Sequence, residues 1–287
     1  MNWLWWVLIS SLFGAFAIIV KKKALIKEHA TEFLTTFKFF EIITLVLFIP
    51  FMNFNISLEL LFVVFIVSLI TTIALVFIAK SYKHLELSMA APLMDLGPAF
   101  TVAIAFIFLN EQLNTYQLIG VGFLIFGAYF LEASYHKGVI NNIKSIISQK
   151  YVKILLFALI LSAFAEAGHK YLISSISPLT LLFLSYVFNF IISFSISTIL
   201  YKGYKDLIHG IKNSGKIIFI DAILATLSNI TYLYAISSTM ISLVLPIKRL
   251  STLIAIIIGG RLFHEHNLMQ RMLACIIMLF GITLIAL

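Results

Sequence analysis

Cutting this chain at its polar and charged residues leaves ten apolar runs, at residues 3–20, 34–53, 58–80, 88–109, 114–133, 153–173, 179–201, 216–236, 242–263 and 268–287. A helix of about 20 residues rises ~30 Å, the thickness of a bilayer's hydrocarbon core. In lipid, every backbone N–H and C=O must be satisfied within the spanning structure, so only helices and closed barrels cross. Barrel strands would alternate apolar and polar residues over about ten positions, and these runs do not. Composition agrees: the chain is 62% hydrophobic and 11% charged, whereas a soluble domain is about 45–50% apolar and ~25% charged. The expected fold class is an all-α integral membrane protein with ten transmembrane helices. The first run has no Lys or Arg before it and no small-residue cleavage site after it, so it reads as a retained helix and not a signal peptide. One cysteine, Cys275, leaves no intramolecular disulfide and no multi-cysteine metal site.

The chain writes one turn twice. FLNEQLNTYQLIGVGFLIFGAYFL carries Glu111 between two apolar runs, and LFHEHNLMQRMLACIIMLFGITLI carries Glu265 in the same place, 154 residues later. At that offset Pro92 meets Pro246, Leu96 meets Leu250 and Gly127 meets Gly281. At an offset of 148, Ala15-Phe16-Ala17 meets Ala163-Phe164-Ala165, and Lys22 meets Lys170. The expected domains are a first five-helix repeat over 1–133, a basic linker over 134–152 and a second five-helix repeat over 153–287. Apolar residues Val139, Ile140, Ile143, Ile146 and Ile147 recur at helical spacing in the linker, which suggests a helix lying on the membrane surface. Because five is odd, the second repeat enters from the opposite face, giving the inverted arrangement with which many secondary transporters frame a central site.

Sixteen of the 20 Lys and Arg residues fall on one side, in the loops after the first, third, fifth, seventh and ninth runs or at the run ends bordering them. The exceptions, Lys38, Lys170, Lys248 and Arg249, lie inside runs, farther from the ends that border that side. Cytoplasmic loops collect basic residues, so both termini are expected outside the cytoplasm. The net charge of +8 then reflects topology and anionic lipid as a partner, and nucleic acid is not an expected one.

With the SMAAPLMDLGPAFTVAIAFIFLNEQLNTYQLIGVGFLIFGAYFL segment and its echo from Ser242, the chain resembles the drug/metabolite transporter superfamily, and within it the EamA-like proteins, along its whole length. The family's turn commonly reads Gly-Glu. Here Asn110-Glu111 and His264-Glu265 stand instead. The resemblance implies ten helices in two repeats and movement of small metabolites or drugs, often export, without ATP hydrolysis. It also implies cytoplasmic termini, opposite to the charge reading. No Walker-type loop is present to bind ATP, and no cofactor is expected.

An ionisable group at bilayer depth costs about 2.5–3.5 kcal/mol on insertion scales, so each one is a functional candidate. Asp95 and Arg249 are repeat equivalents about 10 Å from the starts of their helices, and Lys248 is next to Arg249. Either a charge pair or substrate contact explains them. Pro92, Pro98 and Pro246 accompany these charges and are expected hinges, because proline frees a carbonyl one turn back. Glu166 reads as a proton-coupling carboxyl or as a structural partner of Lys170. It matches Ile18 of the first run, and in small four-helix multidrug relatives the first helix carries the coupling glutamate. Lys38 and Glu41 read as a local ion pair near a helix end. Asp221, about five residues into its run, is expected at the interface. Ser228, Asn229 and Tyr232 would line a polar face. Trp3, Trp5 and Trp6 suggest an interfacial belt. His264, Glu265 and His266 lack the spacing and additional ligands of a metal site.

The functional expectation is a secondary transporter, exporting small metabolites such as amino acids or organic anions by alternating access, in a prokaryotic plasma membrane. Substrate contacts fall to Asp95, Lys248, Arg249, Asn229 and Tyr232, and proton coupling to Glu166. The alternatives are an intramembrane lipid-modifying enzyme, a flippase for lipid-linked substrate and a passive channel. An enzyme of that kind needs paired carboxylates converging at one membrane face with an opening to lipid.

Overall fold

A computed structural model describes residues 3–25, 28, 30–84, 94, 97–108, 114–133, 150–200, 203–262, 273, 276–277, 280–281 and 283–284. Every regular element among them is helical: α1 (Trp3–Leu25), α2 (Ala30–Val46), a 3₁₀ turn (Ile49–Phe51), α3 (Leu58–His84), α4 (Gly97–Phe108), α5 (Thr115–Ala133), α6 (Lys150–Leu172), α7 (Pro178–Leu200), α8 (Tyr204–Ser238), α9 (Ile241–Lys248) and α10 (Leu250–Leu262). Five, α1, α3, α6, α7 and α8, are long and apolar enough to cross a membrane. The linker over 134–149 lies outside the described residues, as do Pro92, Asp95, Glu111, His264, Glu265, His266 and Cys275.

Several boundaries follow from single residues. Pro50, within the 3₁₀ turn, has no N–H to give the carbonyl of Val46, and α2 ends there, short of the run's end. Pro178 opens α7 at a position where its missing N–H costs nothing. Gly203, at φ +55°, turns α7 into α8, and an added Cβ there would meet Thr198 Oγ1 at 2.7 Å.

Two elements depart from the expected spans. The run 242–263 is two helices, α9 and α10, parted at Arg249. Pro246 cannot donate to the carbonyl of Ser242, and Ser11 Oγ of α1 donates to the carbonyl of Ile247 at 3.2 Å. The run 216–236 is part of a 35-residue helix beginning at Tyr204. At ~52 Å it exceeds the bilayer core, so its polar start, YKDLIHGIKNSG, extends beyond the apolar run. Hydropathy did not mark those residues, because a helix outside lipid needs no apolar surround.

α1 lies against α8 and α10, and α6 against α3 and α4. α8 also packs on α2, α3 on α7, α2 on α7, and α4 on α9. Small residues allow these approaches. At Gly14 an added Cβ would stand 3.1 Å from Ser228 Oγ and 3.2 Å from Ser251 Cβ; at Gly168 it would stand 2.6 Å from Val67 Cγ2. Ser10 Oγ donates to the Ser228 carbonyl and Ser228 Oγ to that of Ser10, each at 2.8 Å. Ser228 therefore clamps α1 to α8 and does not line an open polar face. Trp6 stacks on Tyr234 at 5.2 Å, while Trp5 stays 60% exposed. The expected tryptophan belt thus splits between packing and surface.

Candidate functional site

Two clusters of polar side chains are built along α8, which carries a residue of each at Tyr232 and Asn229. The first joins α6, α8 and α9. The Tyr232 hydroxyl hydrogen-bonds the Glu166 carboxylate, and Lys248 Nζ stands 3.6 Å from the centroid of the Tyr232 ring. One tyrosine thus presents its polar tip to an acid and its π-face to a cation, which an amphipathic ring can do at once. Glu166 also acts electrostatically on Lys248 and on His169, one turn along α6. Arg249, at the break between α9 and α10, reaches the start of α4. A Cβ built at Gly97 would lie 2.9 Å from its Nη2, so glycine there makes room for the guanidinium.

Lys170 turns to the far end of α8, donating to the carbonyls of Ile236 and Thr239. A cation at a helix C-terminus satisfies carbonyls the helix leaves open. Ile18, which aligns with Glu166 at the offset of 148, is 39% exposed, so at that position the first half offers an apolar side chain where the second offers a carboxyl.

The second cluster joins α2, α7 and α8. Lys38 Nζ and Glu41 Oε2 form an ion pair at 2.7 Å, with side chains 9% and 1% exposed. The local pair therefore forms, but in the middle of α2 and not near its end, because the helix begins at Ala30. Asn229 Nδ2 donates to the Tyr186 hydroxyl at 3.0 Å, and Glu41 and Thr226 lie close enough to act on that hydroxyl. Thr226 Oγ1 is 2.8 Å from Thr44 Oγ1. Asn229 is thus held with Lys38 and Glu41, and Tyr232 with Glu166 and Lys248. The expected single substrate-binding set divides in two.

Asp221 lies about 26 Å along α8 from Tyr204, is fully buried among the helices, and has no hydrogen-bond partner on either carboxylate oxygen. The charges acting on it are Lys21, Glu41 and Lys38. Lys21, expected in a loop, is helical because α1 runs to Leu25; its Nζ lies 4.7 Å from the Phe37 ring. Tyr186, Thr44 and Thr226 had escaped sequence reasoning. An aromatic or threonine inside an apolar run looks like packing, and only the partners of its hydroxyl say otherwise. The backbone at Pro98 and Pro246 is helical, in α4 and α9, and the break falls three residues beyond Pro246.

A crystal structure sharing 8% identity superposes with a TM-score of 0.69, over 98% of this chain and 96% of that one. At such identity the likeness concerns the fold alone. No curated protein matches the sequence. The pattern of the EamA-like transporter family fits residues 1–132 and again 149–287. With almost all of the chain covered in two halves, and its described elements all helical, this multi-pass membrane protein belongs to the EamA-like transporter family.

Proposed function

We propose that the chain is a secondary carrier working by alternating access, whose solute meets Lys248, Arg249 and Tyr232, with Glu166 exchanging a proton. The observation that carries this reading is the Glu166–Tyr232–Lys248 contact, which gathers an acid, a hydroxyl and a base from three helices. Charges at that depth are costly unless they pair or serve a polar cavity. The basic pair suits a carboxylate-bearing solute, such as an amino acid or organic acid, better than a bulky cation. Asp95 and Pro92 remain proposed members of the site and Asn229 a neighbour across α8. Pro98 and Pro246 are proposed hinges, because a proline gives no N–H to the carbonyl one turn back and Asp95, Lys248 and Arg249 stand within three residues of one or the other.

The helix pairing supports an inverted repeat. If α1 to α3 correspond to α6 to α8, the packing of α1 on α8 has its counterpart in α6 on α3, and that of α2 on α8 in α7 on α3. Two bundles in contrary orientation, related by an axis in the membrane plane, would pair in this crossed manner.

The test is flux of radiolabelled amino and organic acids in proteoliposomes, with and without a pH gradient. Glu166→Gln is expected to abolish the response to the gradient, and Lys248→Ala to weaken solute binding at least tenfold. Transport unchanged in both variants would remove the assigned roles. The lipid-enzyme alternative called for converging carboxylates. Glu28 and Glu32 do converge at one end of the bundle, but membership in a transporter family favours the carrier.

A further inference from the structure

We infer that Glu28, Glu32 and His209 form a binding site for a divalent transition metal ion, joining the turn between α1 and α2 to the polar start of α8. Their ligand atoms all lie within 4.8 Å of one another. His209 Nδ1 is 3.7 Å from Glu28 Oε2 and 3.6 Å from Glu32 Oε2. Those separations are long for hydrogen bonds. They suit two ligands of one ion: bonds of about 2.1 Å opened at 110–120° set ligand atoms ~3.4–3.6 Å apart.

The second observation is the state of Glu28. Its side chain is fully buried. Ser214 Oγ donates to its Oε1 at 2.6 Å, which fixes the carboxylate and points Oε2 at His209. That Oε2 has no hydrogen-bond partner, although leaving a buried carboxylate oxygen unsatisfied costs stability. A metal ion would satisfy it, with Ser214 as the outer partner that orients the ligand. Asp206, one turn before His209, accepts from Ser197 Oγ at 3.0 Å and faces another contact.

One imidazole and two carboxylates suit Zn²⁺, Mn²⁺, Fe²⁺ or Co²⁺ better than the all-oxygen preference of Mg²⁺ or Ca²⁺. His209 is 57% exposed, which gives the ion an aqueous approach and leaves room for a water ligand. The three residues come from two segments far apart in sequence, so their spacing gave no sign of a ligand set. Beside them α8 touches α2 so closely that a Cβ at Gly210 would lie 2.3 Å from Thr36 Oγ1, and a bound ion would fasten that contact. The inference is independent of the transport reading.

The test uses the purified full chain in detergent micelles, with affinity tag removed and metal stripped by chelator. Equilibrium dialysis against Zn²⁺ alone and titration with Co²⁺ alone, read by its visible absorption, are expected to show one ion per chain. His209→Ala and Glu32→Gln should each weaken binding at least tenfold, while His209→Asp, which keeps a ligand, should retain most of it. Zn²⁺ should raise the thermal midpoint of the wild type and leave that of His209→Ala unmoved. Since both altered side chains are at or near the surface, the metal-free midpoints of the variants should match the wild type. Wild-type stoichiometry well below one, or equal binding by wild type and His209→Ala, would overturn the assignment.

Discussion

Tyr232 offers a direct test of the first cluster, because one side chain makes two separable contacts. Tyr232→Phe removes the hydroxyl that reaches Glu166 and keeps the ring that Lys248 faces at 3.6 Å. Interhelical hydrogen bonds in membranes average about 0.6 kcal/mol in double-mutant cycles, and bonds to charged groups about 1.5–3 kcal/mol. A carboxylate partner places this bond near 1.5 kcal/mol. Tyr232→Leu also loses the cation–π contact, worth about 2 kcal/mol when desolvated, for a total near 3.5 kcal/mol. The assay is reversible unfolding in mixed SDS micelles, run as two double-mutant cycles: Tyr232→Phe with Glu166→Leu, and Tyr232→Leu with Lys248→Met. Coupling of at least ~1 kcal/mol is expected in each. Additivity within about 0.5 kcal/mol in both would show that these side chains are neighbours without interaction, and the cluster would lose its standing as a site.

Three further outcomes follow from the packing. Removing one partner of the buried Lys38–Glu41 pair, as in Glu41→Gln, should cost about 3–5 kcal/mol, and Lys38→Met with Glu41→Leu together clearly less, since no charge is then stranded; unfolding midpoints would settle which holds. Gly168→Ala should lose about 1–3 kcal/mol by driving a methyl into Val67, with recovery on adding Val67→Ala; stability equal to wild type would mean that α3 and α6 are not so close. Asp221→Asn breaks no hydrogen bond seen at that carboxylate and should change stability by less than about 1 kcal/mol. A loss above ~3 kcal/mol in the same assay would reveal a structural partner.

Long apolar runs made the fold class legible, because lipid forces the backbone to satisfy itself and a helix to be about 20 residues long. The repeat was legible through Pro, Glu and Gly, whose identities are less easily matched by chance than Leu or Ile. The Lys38–Glu41 pair was legible because three residues is one helical step, a distance the local backbone fixes. By contrast, the start of α8 was hidden. Residues 204–215 form a helix held by contacts with α2, and no apolar pattern announces such a helix. Asp221, five residues into the apolar run, is fully buried against other helices, which its place along the run could not show.

By itself the sequence determined that this chain is a helical membrane protein written in two related halves, since hydropathy, proline and charge act over neighbouring residues. Only the tertiary structure decided that Tyr232 meets Glu166 and Lys248, that Asn229 meets Tyr186, and that Glu28, Glu32 and His209 share one corner. The physical reason is that helical phase and depth in a bundle are set by which surfaces fit against each other. A side chain's partner then lies across an interface, often more than a hundred residues away along the chain.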